Sequence, residues 1–300
     1  MSTFYHTKSI AQVHQFLGLN PPAHPLITII REWPKVDFDF TNVKITSDLF
    51  IISCKGSPGK IGYGRNTYDF QEGTMVFTSP KQVLTFEVNE ENTNNSGWTI
   101  LFHPDLIRKS TLGNEIKGFA FFDYSVTEAL HLSEKEKQIL NDFVRHIEIE
   151  INQNFDKYSQ ELMISNLQSL LKYAQRFYDR QFFTRTNLNK DIVSRFELFL
   201  REYFTPENLM DNGIPTVSQC GKALNMSAPY LSDLLKVETG RSAKDHIHDF
   251  IIEQAKTTLL GSNKTVGEIA YELGFEYPQH FTKLFKSKTG LNPTDFRIVN

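Results

Sequence analysis

Two short stretches near the C-terminal end of this 300-residue chain gather side chains that can make directed hydrogen bonds. One presents Ala228, Pro229, Tyr230, Ser232, Asp233 and Lys236; the other presents Pro278, Gln279, His280, Thr282, Lys283 and Lys286. Such groups along one helix face suit recognition by hydrogen bonding and charge rather than bond making. Behind each face runs an apolar stripe at i, i+3 and i+4. It is Leu231, Leu234 and Leu235 in the first stretch, and Phe281, Leu284 and Phe285 in the second. That spacing marks one buried side of a helix. Ser227 can cap the first helix, and Pro229 and Pro278 fall in first turns, where a missing N–H costs little.

The two stretches are copies. The run from Thr216 returns 49 residues later from Thr265, and after one inserted residue the offset becomes 50, so that Leu231, Thr239 and Gly240 answer to Phe281, Thr289 and Gly290. The insertion falls between Phe275 and Phe281, at the turn or the start of the next helix. A repeat of this period is read before any other feature. Each copy opens on a capping-box pattern, Thr216 with Gln219 and Thr265 with Glu268. Each has a small residue inside its first helix, Gly221 or Ala270, where a second helix can approach closely. Each first helix is expected to end near Asn225 or Gly274, the residue types that best tolerate a left-handed backbone. This is the layout of a helix-turn-helix, whose second helix enters the major groove with its N-terminal residues toward base edges. Between the copies, Lys244 to Leu260 places Ile247, Phe250, Ile251, Ala255 and Leu259 at helical spacing. A rod of roughly 25 Å results. It could hold two recognition helices near the spacing of successive major-groove faces, about 34 Å. Two helical hairpins stacked without DNA would share the pattern, but not the paired caps and the bridge.

The stretch Ile269 to Arg297, with Gly274-Phe275, Phe281, Leu284-Phe285, Thr289-Gly290, Asn292-Pro293 and Phe296-Arg297, resembles the signature of AraC/XylS-type transcription regulators. The resemblance is strong over 190–300. It implies that Pro229, Ser232 and Asp233, then Gln279, His280, Thr282 and Lys283, read adjacent segments of double-stranded promoter DNA. It also implies a homodimer, a small-molecule effector in the N-terminal domain, and RNA polymerase as a further partner, in a chain expected from its own residues to be soluble and cytoplasmic. This chain departs from the family in having no arginine on either exposed face and in placing Asp233 where a base-reading or phosphate-neutral residue is usual. Asp233 could accept from cytosine N4 or cap a local network. Gly221, where the family mostly has alanine, should cost its helix about 1 kcal/mol.

Length suggests about two domains. The net charge is −3, and residues 216–300 carry ten Lys and Arg against nine Asp and Glu, so modest non-specific DNA affinity is expected. The cationic residues Lys283, Lys286, Lys288 and Arg297 gather in the second copy, which is expected to hold DNA more strongly than the first. No run approaches the length of a membrane span, and no secretory signal core opens the chain. Cys54 and Cys220 are expected as reduced structural thiols.

Residues 27–103 look β-rich, with strands at 50–53, 75–77, 83–88 and 98–102 between polar turns, as in a small sandwich or barrel. The run Tyr68 to Pro80 resembles the cupin-like sensor domain of the same regulators. The segment Ile61 to Tyr68 has no histidine where cupin enzymes place a His-x-His pair, and His6, His14, His24 and His103 lack ligand spacing. No metal set, nucleophile elbow or phosphate loop occurs, so no cofactor and no enzyme activity are expected. Asp105 is expected to cap a helix near Leu106. Helices are expected at 133–152, with Ile139, Leu140, Phe143 and Ile147 apolar, and at 158–183, with Leu162, Leu167, Leu170, Leu171, Ala174, Phe177 and Tyr178. They would cover the sheet or form the dimer interface.

The expected fold is α+β. An N-terminal cupin-like barrel (1–110) leads to a helical relay or dimerisation region (111–184). A linker (185–190) joins these to an all-α DNA-binding domain (191–300), with helix-turn-helix units at 216–240 and 265–290 and a loop at 206–215. The alternatives are a front domain that only dimerises, or a cupin-type carrier or enzyme with a helical tail.

Overall fold

Runs of β-branched and aromatic residues bounded by turn-formers dictate the strands of the first half, and helical apolar periodicity dictates most of the second. The computed structural model describes residues 3–31, 43–55, 61–63, 66–68, 73–85, 97–184 and 186–299. They divide into two units, Met1–Gln181 and Phe182–Asn300.

The first unit contains, in order, β1 (Thr3–Thr7), α1 (Ile10–Phe16), β2 (Ile27–Ile30), β3 (Val43–Ser47), β4 (Phe50–Lys55), β5 (Ile61–Tyr63), β6 (Asn66–Tyr68), β7 (Thr74–Thr78), β8 (Leu84–Thr85) and β9 (Gly97–Phe102). Next come α2 (Pro104–Ile107), α3 (Thr111–Glu115), β10 (Leu130–His131), α4 (Glu134–Asn152) and α5 (Ser159–Thr184), whose last residues, from Phe182, belong to the second unit. The main sheet runs β10-β7-β4-β9-β2, all antiparallel, with Ile52 opposite Ile100 and Cys54 opposite Trp98. Smaller sheets join β1-β3-β8 and β5-β6. The expected strands at 50–53, 75–77 and 98–102 are present, whereas 83–88 contributes Leu84–Thr85 alone: Val83 stands outside the strand, and 86–88 lie outside the described residues. So do parts of the cupin-like run and of the turns that would close a barrel.

Aromatic rings fill the core of this unit. Phe50 stacks on Phe102 at 4.9 Å, Phe77 meets Phe121 at 4.5 Å, and Phe121 stacks on Tyr178 of α5 at 5.5 Å. Trp98 Nε1 donates to Asn141 Oδ1 of α4 at 2.7 Å, and Arg180 of α5 donates to Glu136 and to the His131 carbonyl. The helices therefore cover the sheet through Leu140, Val144 and Ile147 of α4, and Leu167, Leu170, Leu171, Ala174, Phe177 and Tyr178 of α5. Leu162 departs from the expected stripe. It is exposed while its neighbour Met163 is buried. The expected cap at Asp105 is also corrected. His103 caps α2 by accepting from Asp105 N at 3.2 Å, while the Asp105 carboxylate takes Arg108. The other histidines are committed too: His6 to Thr46, His14 to the Asn20 carbonyl and Thr28, and His24 to Leu26 N.

The second unit contains α6 (Thr186–Tyr203), α7 (Pro206–Asn212), α8 (Val217–Leu224), α9 (Ala228–Thr239), α10 (Ala243–Gly261), α11 (Val266–Glu272), α12 (Pro278–Thr289) and α13 (Pro293–Val299). The stretch expected as a linker is helical from Thr186 onward, and 206–212 is a helix rather than a loop. Thr205 starts the latter by accepting from Asn208 N, with proline in the first turn. One core unites the unit. Phe196, Leu200, Leu231, Leu235, Ile247, Ile251, Ile269, Phe281 and Phe285 are all buried in it.

Cys54 and Cys220 are buried free thiols, pushed up to about 12 and about 11, mainly by burial.

Candidate nucleic-acid interface

Each copy of the repeat builds the same hairpin. Thr216 accepts from Gln219 N at 3.2 Å while Gln219 Oε1 takes the Thr216 N–H at 2.8 Å; Thr265 and Glu268 do the same at 3.2 and 2.6 Å. The first helices end on left-handed residues, Asn225 (φ 59°) and Gly274 (φ +82°). The turns close by Met226 N to the Gly221 carbonyl at 2.8 Å and Phe275 N to the Ala270 carbonyl at 3.0 Å. What approaches Gly221 is that turn: a Cβ there would lie 2.7 Å from Met226 O and 3.3 Å from Ala228 N. The inserted residue falls at Glu276, because Ser227 and Tyr277 are the equivalent N-caps.

The second helices α9 and α12 both end on left-handed glycines, Gly240 and Gly290. Thr239 and Thr289 donate to the Leu235 and Phe285 carbonyls, at 2.6 and 2.8 Å. The repeat then continues further than its sequence signature. Ser242 caps α10 by accepting from Asp245 N, and Asn292 accepts from Asp295 N at the equivalent place before α13. Each copy is thus three helices, and the third helix of the first copy is the bridge. The bridge spans Ala243–Gly261, one residue longer at each end than expected.

The polar faces differ in exposure. On α12, Gln279, His280, Lys283 and Lys286 are exposed; Thr282 is half-buried and its hydroxyl donates to the Pro278 carbonyl at 3.1 Å. On α9, Pro229, Ser232 and Asp233 are half-buried and Lys236 is exposed. Tyr230 is corrected: it is 7% exposed, its ring 5.0 Å from Phe182, so it belongs to the core rather than the open face.

The cationic cluster of the second copy also resolves differently. Arg297 donates to the Leu259 and Lys264 carbonyls at 2.9 and 2.7 Å, which pins α13 to the end of α10. Lys288 is taken by Asp249 and Asp245 of α10. Among the described residues of the repeat, Lys222, Lys236, Lys244, Lys283 and Lys286 are exposed and pair with no carboxylate. Lys222 and Lys244 were not singled out from sequence, because they lie outside the two recognition faces and nothing local marks them as unpaired.

Residues 220–298 match the family described as "Helix-turn-helix domain". Over these residues the chain carries a helix-turn-helix domain of the AraC type. An uncharacterised HTH-type transcriptional regulator encoded in the cgkA 5′ region of Pseudoalteromonas carrageenovora is 32% identical over 114 residues, 38% of this chain and 63% of that protein. The uncharacterised HTH-type transcriptional regulator YfiF of Bacillus subtilis is 28% identical over 254 residues, 79% of this chain and 72% of that protein. Among solved structures, the C-terminal domain of AraT, a response regulator from Geobacillus stearothermophilus, is similar over 36% of this chain and 85% of that one, at 27% identity and TM-score 0.33. The chain thus spans less than two thirds of the first of these relatives.

Two histidines on α10 give the AraC-type domain a pH dependence. Burial is the main cause holding His246 and His248 below the ordinary imidazole value of 6.5. The unfolded chain therefore binds these protons first as pH falls. Their contribution to stability is complete above about pH 6.5 and shrinks as the pH drops through it. The melting temperature of the protein should be lower at about pH 5.5 than at about pH 7.5. An unchanged or raised value would contradict the burial of these rings.

Proposed function

We propose that this AraC-type protein is a sequence-specific transcription regulator that reads double-stranded promoter DNA with α9 and α12. The observation that carries this reading is the pair of hairpins opened by the same capping box, each with a polar outer face and an unpaired lysine at equivalent places, Lys236 and Lys286. Base-edge contacts are assigned to Pro229, Ser232 and Asp233 on α9 and to Gln279, His280, Thr282 and Lys283 on α12. Lys222, Lys236, Lys244 and Lys286 neutralise phosphates, which set register without selecting sequence. The greater exposure of the α12 face supports a stronger hold by the second copy.

The N-terminal unit is the regulatory part, of cupin-like kind. A small-molecule effector there acts through unequal affinity for two arrangements of the protein. Homodimerisation through α4 and α5 is supported by four exposed apolar residues where these helices meet: Ile149, Phe155, Tyr158 and Leu162. Among the described residues no helix is long and apolar enough to cross a membrane, and a cytoplasmic regulator within reach of RNA polymerase fits that.

Selection of duplexes from a random pool by the full chain tests the DNA reading. Enrichment of a common sequence with two conserved segments is expected, and a pool that stays random after repeated rounds would sink it.

A further inference from the structure

Charged and polar groups from both hairpins converge on one side of α10. Lys288 near the end of α12 lies 2.9 Å from Asp249 and 3.5 Å from Asp245. Arg241, in the turn after α9, donates to Asp249 Oδ2 at 3.1 Å. Thr239, the last residue of α9, shares a 2.7 Å hydrogen bond with His246 Nε2. Two successive turns of α10 therefore hold the end of one recognition helix and the turn after the other.

The repeat shows that hairpin construction does not require this cluster. Arg241, His246 and Asp249 correspond to Leu291, Phe296 and Val299 in the second copy. There, the third helix closes on its recognition helix by a ring contact, Phe285 to Phe296 at 5.3 Å. Both hairpins build the same helix ends, yet only the first copy's third helix carries this charged cluster, and it is the one lying between the two readers.

We infer that Asp245 and Asp249, gripped by Arg241 and Lys288, form a clasp that fixes the separation and angle of α9 and α12, and thereby the spacing of the two DNA segments the protein accepts. This rests on the proposed function only for its last step. The positions of the helices are a property of the protein alone. Surface ion pairs contribute little to folding, about 0–1 kcal/mol, so removing the clasp should leave the domain folded while loosening its geometry. The ammonium of Lys288 is held charged chiefly by its hydrogen bond to Asp249.

The test uses the full chain with spin labels on Val237→Cys and Ser287→Cys, exposed positions on the two recognition helices outside the assigned contacts. The native thiols are buried and stay unlabelled. A single narrow distance distribution is expected for the labelled parent and for Lys288→Arg. A broadened or displaced one is expected for Asp249→Asn and for Asp245→Asn combined with Lys288→Met, at unchanged melting cooperativity. In unlabelled protein, inserting one base pair between the two selected DNA segments should weaken parent binding about tenfold, a cost comparable to one mismatched base pair. The clasp variants should lose most of that discrimination. Identical distance distributions in parent and variants would overturn the clasp, whatever the DNA result. If the distances respond but the parent selects no DNA, the clasp stands and the proposed function falls.

Discussion

Gly221→Ala should lower the stability of the C-terminal unit by about 1–3 kcal/mol, the usual cost of forcing an extra methyl into a packed site. The melting temperature should fall by roughly 4–10 °C. Two effects compete. Helix propensity alone favours alanine over glycine by about 1 kcal/mol, and from sequence that term suggested that Gly221 is a liability. The turn opposes it: the new Cβ would sit 2.7 Å from Met226 O, a backbone atom held by its own turn, with no flexible side chain to swing away. The backbone clash wins. The second copy supplies the control, since Ala270 occupies the equivalent place beneath the turn closed by Phe275 N. Ala270→Gly should cost about 1 kcal/mol by propensity alone. Thermal or denaturant unfolding of both variants decides the matter. A stabilised Gly221→Ala would show that the turn can relax and that propensity governs the site.

Gln279→Ala and Lys283→Ala should each weaken binding to selected DNA by about 1–3 kcal/mol, roughly 5–150-fold. Both side chains are exposed on α12, and Lys283 pairs with no carboxylate, so neither loss should disturb the hairpin. The informative result is where the loss falls. Relaxed sequence preference in one segment only is expected, because the two faces share almost no residues and each reads its own segment. The same loss on every sequence, with a salt slope reduced by about one, would make the residue a phosphate contact instead. Ser232→Ala should relax the other segment and by less, since the α9 face is half-buried where the α12 face is open.

How much was legible in the sequence depends on the range of the forces involved. The capping boxes at Thr216 and Thr265, the left-handed ends at Asn225 and Gly274, and the stripes of α9 and α12 are built within a few residues, so their chemistry is local and visible. The strands β4, β7 and β9 were legible because they are central and dense in apolar residues. Long-range effects escaped. Tyr230 looked open because nothing nearby covers it; Phe182, which does, lies 48 positions away. Arg297 and Lys288 looked like free cations for DNA, but Arg297 serves backbone carbonyls and Lys288 the acids of α10, neither of which a side-chain pattern announces. The helix α7 has seven residues, too few for periodicity to emerge, and its stripe is incomplete because Met210 points to solvent. Polarity at 185–190 gave no sign of the helix that starts at Thr186, whose apolar stripe is carried further on by Ile192, Phe196, Phe199 and Leu200.

Two readers on one scaffold make a geometric commitment that a single hairpin does not. The most direct measurement is chemical interference mapping of the full chain on its selected duplex, modifying guanine and thymine groups in the major groove. Two clusters of interfering positions are predicted, separated by about one helical turn of DNA, roughly 10 base pairs, with the cluster read by α12 the stronger. A single cluster, or interference confined to phosphates with no base positions, would contradict the paired-reader mechanism.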